Sequence, residues 1–203
     1  MQAKLVIVMG LPCSGKSTLA RKIAARFGFP LMAKDVVKEA LFDTLGTGDR
    51  EWSRRLSTAS CAVLLAFAER TIGSGSSAII EGNFRPEHAE DLARVRNAHG
   101  AGLVQVLCGG NGAVLIERQE ARVRRRSRHP GHLDGETLHE LRGLLRRGFT
   151  EALPLDCPTV RFDSTASGAA RLDTIFQAIE DLGSANHPAP SQHPGSAQNP
   201  GTR

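Results

Sequence analysis

Gly10-Leu11-Pro12-Cys13-Ser14-Gly15-Lys16-Ser17 is the stretch on which the reading of the chain turns, because it fits the phosphate-binding loop pattern G-x-x-x-x-G-K-[ST] at every position. Its flanks matter as much as its letters. Leu5-Val6-Ile7-Val8-Met9 precedes it, a short apolar and β-branched run of the kind that forms a buried parallel strand. Leu19, Ile23 and Phe27 follow at four-residue spacing, one face of a helix that Gly28 ends. Strand, glycine loop and helix N-terminus thus occur in the order that a phosphate cradle requires.

The chemistry follows from that order. Gly10 and Gly15 admit backbone dihedrals closed to other residues, so the amides of Leu11, Pro12's neighbours, Cys13 and Ser14 can turn inward at the positive end of the helix. Lys16 is placed to reach β- and γ-phosphates, and the Ser17 hydroxyl to ligate Mg²⁺. Thr18 is next in line for the α-phosphate or for capping the turn. A nucleoside triphosphate with Mg²⁺ is the expected ligand.

The length of 203 residues suits one α/β domain with a full core. The formal charge of +5 is concentrated rather than spread: Arg118, Arg122, Arg124, Arg125, Arg126 and Arg128 stand against Glu120 alone. Such a cluster fits a local phosphate clamp, or a solvated helix face. With no Tyr and one Trp the chain offers little for stacking single-stranded bases. Cys13, Cys61, Cys108 and Cys157 are dispersed and read as free thiols in a reducing compartment. No apolar run approaches membrane-spanning length, and the opening run is too short for a signal peptide; a cytoplasmic protein is expected.

Further along, Phe29 to Ala33 reads as a second strand, ahead of helical patterns at Val36–Leu45 and Arg50–Ile72. Ala78-Ile79-Ile80 is a third strand, followed by a helix opening at Pro86; Leu103 to Leu107 is a fourth. Asn111 is positioned as the N-cap of a helix that runs into the arginine cluster. Behind Asp134 the helical period resumes through Leu138, Leu141, Leu145 and Phe149, before a fifth strand, Thr159 to Phe162, and a closing helix with Leu172, Ile175, Phe176 and Ile179. Strand alternating with helix predicts an α/β fold, a doubly wound parallel sheet with helices on both faces and ligands at the carboxyl ends of the strands. The expected domain covers residues 1–183, and the Ser-, Pro- and Gly-rich stretch 184–203 reads as a disordered tail.

Asp35 stands at a strand end opposite the phosphate loop, where a carboxylate can accept the proton of an acceptor hydroxyl or align it. An Asp ahead of an apolar period is equally a helix N-cap, and the residues alone leave both roles open. Glu81 ends a buried strand and is placed to hold Mg²⁺ through water; Asn83 and Arg85 share its loop and are candidate acceptor contacts, although Gly82-Asn83 is also turn chemistry. Extrapolating the helix, Arg118, Arg122 and Arg126 share one face, with Arg124, Arg125 and Arg128 directed elsewhere. Arg122 and Arg126 on that face would offset charge on a transferred group. His129-Pro130-Gly131-His132 reads as the turn of a lid rather than as a metal site.

The phosphate loop, the segment Lys34-Asp35-Val36-Val37-Lys38-Glu39-Ala40-Leu41-Phe42, the strand Ile79-Ile80-Glu81-Gly82-Asn83-Phe84 and the region Arg118 to His132 together resemble the small P-loop kinases of the zeta-toxin and chloramphenicol-phosphotransferase type, relatives of gluconate, adenylate and polynucleotide 5′-hydroxyl kinases. The resemblance spans about Leu5 to Leu182. It implies a five-stranded sheet of order 2-3-1-4-5, an arginine-rich helical lid over about residues 118–134, and transfer of the γ-phosphoryl of ATP to a hydroxyl. By the same resemblance Asp35 matches the carboxylate that activates the acceptor, and Arg118 with Arg122 the pair that opens the lid, one on adenine and one on phosphate. Ser164 and Thr165 fall where the loop wraps adenine, which favours ATP. Glu81-Gly82-Asn83 replaces the second acidic motif usual after the third strand.

Three functions are therefore in competition. The first is an ATP-dependent kinase of a small molecule such as a sugar, a nucleoside or an antibiotic-like compound. The second is a polynucleotide 5′-hydroxyl or nucleotide-sugar kinase, against which the scarcity of aromatics counts. The third is an ATP-binding regulatory module or slow ATPase, which would need Lys16 and Ser17 but have no use for Asp35.

Overall fold

The computed structural model describes residues 2–166 and 170–182. Five strands, β1 (Lys4–Gly10), β2 (Leu31–Ala33), β3 (Ala78–Gly82), β4 (Gly102–Gly109) and β5 (Thr159–Asp163), form one sheet of order β2-β3-β1-β4-β5. Every neighbouring pair is parallel. The seven α-helices among the described residues are α1 (Lys16–Phe27), α2 (Lys34–Leu45), α3 (Arg50–Gly73), α4 (Ala89–His99), α5 (Gly112–Arg125), α6 (Asp134–Arg146) and α7 (Ala170–Asp181).

The layering follows from strand alternation. On β1, Leu5, Ile7 and Met9 face one side and pack with Leu64, Ala68 and Ile72 of α3 and Leu92 and Val95 of α4. Val6 and Val8 face the other, against Leu19, Ala20 and Ile23 of α1 and Ile175 and Ile179 of α7. Both faces are covered, so β1 is apolar throughout rather than alternating. Each fully buried Leu or Ile here contributes about 1.5–3 kcal/mol of burial.

Several boundaries differ from the sequence reading in ways that matter for the site. Helix α2 begins at Lys34 rather than Val36, so Asp35 lies inside its first turn and Ala33, not Asp35, occupies the N-cap position. Strand β3 continues to Gly82, with Glu81 in register beside Val8 of β1. A single 3₁₀ turn, Pro86–His88, precedes α4. Asn111 caps α5 as expected, its side chain accepting from the amides of Ala113 and Val114. Helix α6 stops at Arg146 because the chain turns through Gly148 at φ 76°; Phe149 thereby leaves the helix and lies against Gly109. The stretch 184–203, expected to be a tail, lies outside the described residues.

Candidate active site

The phosphate loop runs from the end of β1 into α1. Gly10 is needed for close approach: a Cβ there would lie 2.2 Å from the carbonyl oxygen of Cys108. Gly15 (φ 80°) and Cys13 (φ 59°) both take the left-handed conformation that lets successive amides face the same way. Gly15 caps α1 without a side-chain bond, and the first turn carries no acid, so the positive end of the helix is left for an anion. Leu11 anchors the loop from below against Leu115 and Leu145. The Ser14 hydroxyl is buried and unpartnered, an orphaned donor of the kind that a bound phosphate satisfies.

A cavity of about 700 Å³ opens in front of the loop, within the usual size range of ligand pockets. Its walls include Gly15, Lys16, Ser17, Thr18, Asp35, Arg118, Arg122 and Arg125. The Ser17 hydroxyl donates to Glu81 Oε2 at 3.0 Å, and Lys16 Nζ lies 3.8 Å from Glu81 Oε1. Burial pushes the Glu81 carboxyl above its ordinary pKa, with Lys16 and Ser17 pulling the other way. A hydroxyl and a carboxylate side by side are an oxygen donor set suited to Mg²⁺, which keeps waters and takes phosphate oxygens for its remaining ligands. Cys13 donates its thiol to Gln119 Oε1 at 3.2 Å, and burial raises its pKa, so it is no activated thiolate.

Asp35 borders this cavity from α2. Its carboxylate is bonded to Arg128, which also reaches Asp134 Oδ1 at 2.9 Å. Burial would raise the Asp35 pKa, but the charges of Arg128 and Lys16 outweigh it and hold the carboxyl below its ordinary value. Asp35 makes no capping bond, which removes the competing N-cap role.

The arginine-rich segment 118–134 does not follow helical extrapolation. Helix α5 ends at Arg125, and Arg126 takes φ 46°, breaking the helical path. Arg126 is exposed and does not line the cavity, whereas Arg125 does, and Arg128 reaches Asp35. Arg118 and Arg122 remain on the cavity face. Arg118 donates to the hydroxyl and carbonyl of Ser164 at 3.0 and 3.2 Å, so Ser164 is brought to the rim. Thr165 turns instead to Asp163 and to the amide of Asn111. Arg122 donates to Gln119 at 2.6 Å and pairs with Asp134 at 3.0 Å.

Beyond Arg128 a 3₁₀ turn, Pro130–His132, seats this segment on α2 and α3. Gly131 lies on the Phe42 ring, where a Cβ would meet it at 2.7 Å, and its carbonyl accepts from Ser53 at 2.9 Å. His129 stacks on Phe42 and reaches Asp43; His132 donates to Glu39 at 2.9 Å. Burial, then Arg128, push the His132 pKa down to about 3, so this is a hydrogen bond from a neutral ring. The two histidines serve different acids and do not converge. Among the described residues no group of three or more His, Cys, Asp or Glu forms a metal cluster.

Between lid, α2 and α3 lies a second cavity of about 290 Å³. Asn83 and Arg85 border it, and so does Asp35, the carboxylate shared by both cavities. Lys34, Lys38, Arg54 and Asp134 also line it and were not singled out from sequence. The four-residue spacing of Lys34 and Lys38, and of Arg50 and Arg54, was the available signal. Among the described residues no helix is long and apolar enough to cross a membrane.

Residues 5–147 match the family described as AAA domain. No curated protein matches the chain. Among solved structures, a protein from Chloroflexus aurantiacus J-10-fl described as a "putative kinase" is 34% identical, with a TM-score of 0.78 over 90% of this chain and 99% of its own. The fold is shared more distantly with Kti12 of Chaetomium thermophilum, determined with ADP-AlF3, at 21% identity and a TM-score of 0.58 over 86% of this chain and 98% of that one. It is shared also with a sugar kinase of Janibacter sp. HTCC2649, at 18% identity and a TM-score of 0.56 over 91% and 99%. The phosphate loop on β1, the β2-β3-β1-β4-β5 order and the match over residues 5–147 make this chain a member of the AAA domain family with the P-loop kinase-like fold.

Proposed function

We propose that the protein transfers the γ-phosphoryl group of ATP to a hydroxyl of a small molecule held in the second cavity. The observation that carries this reading is that Asp35 borders both cavities, so one carboxylate faces the phosphate loop on one side and an acceptor space on the other. The 34% identical relative described as a "putative kinase" supports the same class of activity.

In this reading the loop amides and Lys16 hold the triphosphate, and Arg118 beside Ser164 lies along the adenine side. Ser17 directly and Glu81 through water hold Mg²⁺, which when bound neutralises phosphate charge. Asp35 orients the acceptor hydroxyl and receives its proton as the acceptor oxygen bonds to the γ-phosphorus; the bond to the β,γ-bridging oxygen breaks and ADP leaves with that electron pair. A carboxylate held ionised by Arg128 suits this role, because a loose transition state demands alignment more than basicity. Arg122 and Arg125 face the loop and offset charge on the transferred group. Within the family, the Lys34-Asp35 segment and the arginine-rich lid support kinship with the zeta-toxin and chloramphenicol-phosphotransferase type, and four unpaired thiols suit a cytoplasmic setting.

The test is an acceptor screen with γ-labelled ATP across sugars, sugar acids, sugar phosphates, nucleosides and oligonucleotide 5′ ends. Label appearing on a small hydroxylated acceptor is the expected result. Label released only as inorganic phosphate would replace the kinase reading with that of an ATPase.

A further inference from the structure

The second cavity has a charge balance that the phosphoryl transfer itself does not explain. Six cationic side chains line it against three carboxylates, and all three carboxylates are already engaged. Asp35 and Asp134 are bonded to Arg128, and Glu140 is held by Arg50. Lys34, Lys38 and Arg54 have no carboxylate within ion-pairing distance among the described residues.

Lys38 is the telling member. Only 6% exposed, it has no carboxylate at ion-pairing distance among the described residues: its ammonium donates to Ser53 at 2.8 Å and lies 5.2 Å from the Phe42 ring centre. An ammonium buried without an anion is costly to keep charged. Burial, followed by repulsion from Lys34 and Arg128, outweighs the more distant attraction of Asp35 and Asp134 and brings its pKa down to about 8. Lys34 lies one helical turn away on α2, and Arg54 projects from α3 across the same space, so the unpaired cations come from two facing helices.

From this arrangement we infer that the acceptor carries an anionic group in addition to its reacting hydroxyl, and that Lys34, Lys38 and Arg54 grip that group while Asp35 addresses the hydroxyl. The inference rests on the phosphotransferase reading and narrows it to hydroxylated small molecules bearing a carboxylate or a phosphate. Engagement of the anion would supply the counter-charge that Lys38 lacks, and two-helix gripping would fix the distance from anion to hydroxyl. A neutral sugar or nucleoside offers nothing to these three cations.

The experiment uses the full chain loaded with a non-hydrolysable ATP analogue, so that the phosphate loop is filled. Inorganic phosphate is titrated against chloride at equal ionic strength and thermal stability is followed. A further rise in Tm with phosphate is expected, lost in Arg54→Gln and in Lys34→Gln while the shift caused by the nucleotide analogue is retained; that retained shift shows that the variants fold. In parallel, γ-phosphoryl transfer is compared for a hexose, the matching sugar acid and the matching sugar phosphate. One anionic member should exceed the neutral sugar at least tenfold in kcat/KM, and Arg54→Gln should raise its KM about tenfold; which member wins distinguishes carboxylate from phosphate. A nucleotide shift without any phosphate shift, or equal transfer to the neutral sugar, overturns the inference and leaves the kinase reading standing; preferred transfer to an oligonucleotide 5′ end overturns the inference together with the small-molecule acceptor. Loss of the nucleotide shift itself in the wild-type protein overturns both.

Discussion

At the scale of single residues, the buried Lys38 ammonium and the unpartnered Ser14 hydroxyl are held in unfavourable states. Lys38 shows this most plainly, and its titration has a sign that can be checked. Its pKa of about 8 in the fold lies below the unfolded value of about 10.4, so between the two the unfolded chain binds more protons than the native one. This group therefore makes stability rise as pH increases from about 8 to 10. Anion affinity must move the opposite way, because a neutral Lys38 no longer attracts it. Calorimetric titration of phosphate and thermal melts over that range should diverge, and Lys38→Met should flatten both curves. At Gly10 the constraint is steric: Gly10→Ala would drive a Cβ to 2.2 Å from a backbone oxygen that cannot swing away. A loss of about 1–3 kcal/mol is expected by urea denaturation. Residues with a fixed motif, Lys16 and Ser17, were legible in the sequence because the phosphate geometry dictates their spacing. Lys38 and Arg54 were not, since a cation's lack of a partner is a property of tertiary packing, and neither was Asp134, whose pairing with Arg122 and Arg128 forms only across the fold.

Among elements, the arginine-rich segment 118–134, proposed as a lid, carries most of what sequence could not provide. Periodicity located α5 and Asn111 its start, because caps and apolar spacing are local signals. Where α5 stops is decided by Arg126 entering the left-handed region without a glycine to announce it. That single turn moves Arg126 out of the cavity wall and brings Arg125 and Arg128 into play, so a rule of helical faces fails one residue past the helix. The docking of the lid was likewise invisible, since Gly131, Phe42 and Ser53 meet only across the fold. Gly131→Ala should disturb this seat by about 1–3 kcal/mol without touching the phosphate loop. The acceptor KM should rise while stabilisation by the ATP analogue is kept. Equal damage to both would mean that the lid serves nucleotide binding instead.

For the molecule as a whole, the architecture was legible because each strand is short, apolar and separated by an amphipathic helix, which leaves few arrangements besides a parallel sheet covered on both faces. What the sheet achieves is placement: β1 ends in the phosphate loop, β3 delivers Glu81, and β2 hands Asp35 to the first turn of α2, all at one rim. Nucleotide at about a hundred times its Kd should stabilise such a protein by about 2.7 kcal/mol, or roughly 5–10 °C in Tm. The central claim is that the loop binds the triphosphate while Asp35 serves the acceptor across the boundary of two cavities. The direct test measures thermal stabilisation by the ATP analogue and γ-phosphoryl transfer, side by side, in Lys16→Ala and Asp35→Asn. The account predicts that Lys16→Ala loses both, and that Asp35→Asn keeps the stabilisation while transfer falls about 10²- to 10⁴-fold. Transfer surviving in Asp35→Asn at near wild-type rate would contradict it.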